Sequence, residues 1–258
     1  MRAISAEVVT FAFALACIVP NNIMAQATVG QPLAAKFRIA QAAAVAPAVS
    51  QAAEPLPAYK PPPRGAPGGR VGGASRGGPE SVTLPRIELL APDNIAGQTT
   101  NPSPTLYYYI SRQVPQSLML TISAPNIARP VVERTIAGST AAGIQAIRLS
   151  DFAVQLQPGV NYTWSVSLVL DPAARSKDIV ASASIVRAAP DPAVTAARAA
   201  APLSRAVVLA QAGFWYDALA AAAEGEAADH HAAIDALLEQ VGLTEPAQFD
   251  RQTALGVR

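Results

Sequence analysis

Histidine and cysteine, which carry most metal and acid–base chemistry, are almost missing from this chain. There are two histidines, His230 and His231, and they are adjacent. Neighbouring helix positions do not face each other, so the pair is poorly placed to chelate one ion. Asp229 before them suits a helix N-cap. The lone cysteine, Cys17, excludes an intramolecular disulfide and a cysteine-built zinc site. Gly73-Ala74-Ser75-Arg76-Gly77 spells Gly-x-Ser-x-Gly, but it lies in a glycine-rich run without the strand a nucleophile elbow needs, and no His-Glu-x-x-His occurs. Paired carboxylates hydrolyse glycosides without either residue type, and Asp93, Glu133, Asp151, Asp171 and Asp178 are available. No pair among them stands out, and most sit beside turn signals, where acidic residues are common anyway. The sequence therefore predicts no catalytic residue, no metal and no cofactor.

Aromatic side chains offer binding chemistry instead. In Tyr107-Tyr108-Tyr109, strand alternation puts Tyr107 and Tyr109 on one face and Leu106, Tyr108 and Ile110 on the other. Two exposed tyrosines would form a stacking platform for a sugar or peptide. Packing under a loop or helix is the commoner fate. Phe214-Trp215-Tyr216-Asp217 is the densest aromatic run of the C-terminal part. It reads first as a hinge core and alternatively as an exposed partner site. Trp215, Tyr216, Asp217, Tyr107 and Tyr109 are thus the candidate partner-binding residues.

The elements that must position them follow from periodicity. Residues 161–170 alternate Tyr162, Trp164, Val166, Leu168 and Leu170 with Thr163, Ser165 and Ser167, the pattern of a half-buried antiparallel strand. Strand-like runs also occupy residues 86–91, 104–110, 117–123, 130–137, 143–149 and 178–187, and residues 171–177 predict a hairpin connection. Seven short strands at roughly ten-residue spacing suggest an immunoglobulin-like antiparallel β-sandwich over residues 83–190. A small helical segment follows over residues 191–245. Leu203, Ala206, Val207 and Ala210 keep helical spacing, residues 216–223 form a second helix, and Ile234, Leu237, Leu238 and Val241 mark a third. Leu209-Ala210-x-x-Gly213-x-Trp215-x-x-Ala218-Leu219 looks like the turn of a tetratricopeptide hairpin, but an array needs at least about three repeats. The predicted fold is mainly β with an α tail: a sandwich capped by a tetratricopeptide-like hairpin. Residues 246–258 read as a flexible C-terminal tail.

The chain has 258 residues, of which 51% are hydrophobic but only 5% aromatic, and alanine inflates the first figure. A formal net charge of +1 implies no global electrostatic partner. Arg2, an apolar run over residues 8–19 and Ala25-Gln26-Ala27 have the layout of a secretory signal peptide over residues 1–27. A lipoprotein signal with Cys17 as the acylated residue is the minor alternative. No later segment is apolar enough to span a membrane. Residues 28–82 are rich in Ala, Pro and Gly and read as a disordered tether, with polyproline II at Pro61, Pro62 and Pro63. Its glycines lack the lysine and flanking strand of a phosphate loop and the spacing of a dinucleotide fingerprint. An Arg/Gly nucleic-acid segment is disfavoured by few arginines and the predicted export.

Ordered landmarks run through both halves. They are Pro61-Pro62-Pro63-Arg64-Gly65, Leu89-Leu90-Ala91-Pro92, Pro104-Thr105, Gly159-Val160-Asn161-Tyr162-Thr163-Trp164 and Asp171-Pro172. Arg187, Pro202-Leu203-x-Arg205-Ala206, Gly213-x-Trp215-Tyr216-Asp217-Ala218-Leu219 and Leu237-Leu238-x-x-Val241-Gly242-Leu243 continue the series. With these the chain resembles a bacterial family known as domain of unknown function 928, from about Tyr59 to Leu243. One departure is Ala183-Ser184, where the family favours Gly-Trp. The resemblance implies an exported protein and supplies no catalytic residues. The function expected is a non-catalytic envelope module, periplasmic or secreted, that binds an unidentified envelope protein or polymer and no nucleic acid. A structural envelope protein and a carboxylate glycoside hydrolase are the alternatives.

Overall fold

The computed structural model describes residues 55–63, 66, 68–70, 84–137, 140–189, 191–225 and 227–254. The expected signal peptide and residues 28–54, 64, 65, 67 and 71–82 of the expected tether lie outside the described residues.

The alternating stretch forms β7, Asn161–Leu168, at the middle of the larger sheet. It pairs antiparallel with β4, Leu118–Ser123, and with β8, Ile179–Arg187. Register explains why these three strands choose each other. Trp164 lies opposite Ile122 and Ala183, Val166 opposite Leu120 and Ala181, and Leu168 opposite Leu118 and Ile179. Every one of these side chains is buried. A one-residue slip would turn the whole apolar set into water. Each large member contributes roughly 1.5–3 kcal/mol. The small Ala181 and Ala183 leave room for Val166 and the indole of Trp164. On the edge, β5, Val132–Ala137, pairs with β4 and carries the exposed Glu133 and Arg134, charges that blunt an open strand edge.

A second sheet has the order β1-β3-β6, from Ile87–Leu89, Thr105–Ile110 and Gly143–Arg148. Ile87, Leu89, Leu106, Tyr108 and Ile110 join the same buried cluster as the β7 face. β1 packs against β7 and β8. The molecule is thus mainly β, with two sheets of eight strands among the described residues, followed by helices. The expected wholly antiparallel arrangement is corrected at one place. β2, Gly97–Thr99, runs parallel to β8. With three residues, one of them glycine, it carries no alternation by which to be found.

The helices are α1, Pro192–Ala196; α2, Pro202–Gln211; α3, Trp215–Ala222; α4, Ala228–Gln240; and α5, Thr244–Ala254. Pro202 opens α2 at a first-turn position where its missing N–H costs nothing. Gly213 and Gly242 end α2 and α4 at φ of 86° and 75°. In each case the next amide reaches back five residues, Phe214 N–H to the Leu209 carbonyl and Leu243 N–H to the Leu238 carbonyl. Only a residue tolerating left-handed backbone closes that turn without strain. Ala206, Ala210, Ala218, Ala221 and Ala222 are all buried where α2 and α3 meet. The alanine content therefore works as close-packing material between helices.

Two further expectations are corrected. Residues 244–254 form α5 where a flexible tail was expected from residue 246. Phe249 packs edge-on against Tyr109 at 5.6 Å, and Arg251 Nε donates to Asp235 at 2.9 Å. Few apolar residues in α5 carry that docking, so its periodicity is faint in the sequence. Residues 55–63, within the expected disordered tether, are a packed strap. The Lys60 amide donates to the Ala210 carbonyl at 3.0 Å and the Tyr59 amide to Gln240 at 2.8 Å.

Candidate functional site

Gly213 turns the chain so that the first residues of α3 point into the body of the protein. Trp215 is fully buried and its indole N–H donates to the Leu90 carbonyl at 2.8 Å. Tyr216 is equally buried; its hydroxyl accepts from the Trp164 indole N–H at 2.9 Å and donates to the Ser184 carbonyl at 3.2 Å. Burial drives the Tyr216 hydroxyl far above the usual phenol range. Both polar tips are satisfied internally, as buried Trp and Tyr require. These two residues are the hinge core between helices and sheets, and neither presents surface to a partner in this arrangement. The Ala183-Ser184 pair sits in the same packing, Ala183 opposite Trp164 and Ser184 under the Tyr216 hydroxyl.

Asp217 takes a different role. One carboxylate oxygen accepts from the Thr99 hydroxyl, and the other accepts from the Thr100 amide and hydroxyl, both at 2.6 Å. It thereby ties the start of α3 to the end of β2.

The three consecutive tyrosines separate as alternation requires. Tyr108 faces the core at 3% exposure. Tyr109, on the other face, is only 2% exposed because α5 covers it, and its hydroxyl donates to Glu245 at 3.3 Å. Burial, reinforced by the Glu245 charge, pushes its hydroxyl up to about 12. Tyr107 is half-buried against the core. A two-tyrosine platform is therefore not displayed on this sheet.

The structure instead forms a groove of about 430 Å³ between the strap, the loop after β1 and the end of α4. Tyr59 and Pro61 come from the strap, Pro92, Asp93, Asn94 and Ile95 from the loop, and Gln240, Val241 and Gly242 from the helix end. Tyr59 stands edge-on to Trp215 with ring centroids 5.0 Å apart, and burial pushes its hydroxyl up to about 12. That hydroxyl makes no hydrogen bond among the described residues. Gln240 spans the strap, accepting from the Tyr59 amide and donating to the Pro57 carbonyl at 3.0 Å. Arg70 anchors the other end, with a hydrogen bond to the Val241 carbonyl at 3.3 Å and ion pairs to Glu88 and Asp93 at 3.6 and 3.8 Å. A Cβ on Gly69 would lie 1.9 Å from the Asp93 carbonyl oxygen, so only glycine admits this approach. The sequence signal for the strap is that pairing of a lone tyrosine with a glycine turn and an arginine, hidden within a low-complexity composition.

The titratable side chains are spread apart and used locally. Asp171 accepts from the Ala173 amide in its own turn, Asp178 pairs with Arg175, and Asp151 accepts from Ser150. Glu133 lies exposed on the edge strand, and Asp93 faces Arg70. His230 Nδ1 meets the Ala222 carbonyl at 2.8 Å, and His231 Nδ1 meets Asp250 at 2.7 Å. No cluster of three or more His, Cys, Asp or Glu able to hold a metal occurs among the described residues. What the groove can do chemically is hold a ligand through prolines, an aromatic edge, the amide side chains of Asn94 and Gln240, the Asp93 carboxylate and backbone groups.

A family model described as Domain of Unknown Function (DUF928) matches residues 71–250, more than half of the chain. No curated protein matches it. No helix among the described residues is long and apolar enough to cross a membrane.

Proposed function

The chain belongs to the Domain of Unknown Function (DUF928) family, and we infer its function from the groove described above. It is an exported envelope protein that works as a non-catalytic binding module, with its partner, an envelope protein or polymer, seated in the Tyr59–Asn94–Gln240 groove. The observation that carries this reading is the groove itself, whose strap wall is held in place from both ends while its rim stays open. Ligand sites are characteristically concave, largely apolar and set with a few fixed polar groups. The leader-like pattern ending at Ala25-Gln26-Ala27 supports export. We read the two sheets as an immunoglobulin-like sandwich and α2–α3 as a tetratricopeptide-like hairpin that caps it. In-register apolar faces support the first, and the glycine stop with alanine crossing supports the second.

The test is to express the full chain with its own leader and a photo-crosslinking residue at Asn94, an exposed position. Expected is processed protein in the envelope fraction and a discrete adduct that a crosslinker at the exposed Glu133 does not give. Unprocessed cytoplasmic protein would sink the export reading. Folded, exported protein with no adduct at Asn94 would sink the groove and leave a structural role ahead.

A further inference from the structure

A second groove, of about 310 Å³, opens where the 3₁₀ turn Ala197–Ala199, α2 and α3 meet the loop that follows β2. Four charged side chains line it: Arg198, Arg205, Asp217 and Glu224. Two arginines and two carboxylates cancel in formal charge, but their hydrogen bonding is uneven. Asp217 is saturated by Thr99 and Thr100. Arg205 donates to the Ala200 carbonyl at 3.3 Å and pairs with Glu224. Arg198 makes no hydrogen bond or ion pair among the described residues and stands exposed at the rim. The groove therefore presents one unmatched guanidinium. Beside it Arg205 is held by the Ala200 carbonyl and by the exposed Glu224, and that ion pair is of small net worth. Val194, Leu209 and Ala220 supply an apolar wall, with the polar Thr100 and Asn101 on the loop beside Pro102.

We propose that this groove binds a small organic carboxylate, its head on the Arg198 guanidinium and its aliphatic chain against Val194, Leu209 and Ala220. A guanidinium fork matches a carboxylate in a two-point contact, which a lysine would not provide. The apolar wall gives an organic chain an advantage over an inorganic anion of equal charge.

The experiment is calorimetric titration of the full chain at low salt with acetate, butanoate and hexanoate, and with inorganic phosphate. Expected is saturable 1:1 binding that tightens along the series, by up to about fourfold per fully buried methylene. Arg198→Gln should weaken hexanoate by about tenfold or more, the size expected for losing a charge-assisted contact, with the unfolding midpoint unchanged. Ala220→Leu, which fills part of the wall, should weaken hexanoate more than acetate. Three results would overturn the proposal: no saturable binding of any carboxylate, phosphate binding tighter than hexanoate with no chain-length trend, or Arg198→Gln binding as the unaltered chain does.

Discussion

The junction around Trp215 and the groove around Arg198 lie at opposite extremes of sequence conspicuousness. The junction holds both tryptophans of the chain together with Tyr216 and Tyr59, and its indole N–H groups and the Tyr216 hydroxyl are bonded inside the protein. The groove takes its free guanidinium from Ala197-Arg198-Ala199-Ala200-Ala201, a stretch with nothing to draw attention. The difference teaches that aromatic density measures how much a segment has to bury, and that available chemistry is measured by unmatched polar groups. In a chain with so few aromatics, the large ones are consumed by the join between sheets and helices.

The sharpest way to break this comparison is Trp215→Ala. If the junction is framework, the change removes a fully buried indole and leaves the Leu90 carbonyl without its donor. The expected loss is about 3–5 kcal/mol, read by urea unfolding. A loss below 1 kcal/mol would put Trp215 on the functional side. Next comes Tyr216→Phe, which keeps the ring but strands the Trp164 N–H. Its cost should be about 1–3 kcal/mol, and Trp164→Phe in the same background should recover part of it. Tyr59→Ala is expected to cost roughly 0.5–1.5 kcal/mol beyond the area lost. Its signature is local: amide exchange at Lys60, bonded to Ala210, should speed up while β7 amides stay protected. Exchange rising equally everywhere would show the strap to be integral to the fold.

Alkali sharpens the same contrast. Tyr59 and Tyr109 ionise near 12 in the fold and near 10 when unfolded, chiefly through burial. Below pH 10 both states keep these protons and the burial contributes in full. Between 10 and 12 the unfolded chain releases protons that the folded chain retains, so stability falls as pH rises. Tyrosinate absorbance should show these two residues appearing with unfolding and not before it. The smallest stability effect belongs to Arg198→Gln, expected within about 0.5 kcal/mol of the original.

Much of the framework was legible because alternation is a strong signal when a strand is central and half-buried. β4, β7 and β8 follow it residue by residue, and α2, α3 and α4 lie where helical spacing and the two glycine stops place them. What escaped did so for physical reasons. β2 is too short to alternate, and its partner is parallel and distant in sequence. α5 docks through Phe249 and ion pairs with little else apolar, so a helix held by tertiary contacts resembles a polar tail. The strap gains its order from Gln240 and Ala210, residues about 150–180 positions away, so no local composition could reveal it. Of the five candidate binding residues, Trp215, Tyr216 and Tyr109 are taken up by packing and Asp217 by the β2 connection, leaving Tyr107 half-exposed.

The most direct measurement is hydrogen exchange at the two indole N–H groups, followed by NMR on the full chain. Both are buried and bonded, Trp164 to Tyr216 and Trp215 to Leu90. If the aromatic junction is framework, both should exchange no faster than the most protected β7 amides, at the rate set by global unfolding. If either indole exchanges within minutes while β7 stays protected, the junction opens in the native state. The aromatics would then be available to a partner, and the separation of framework from binding surface would be wrong.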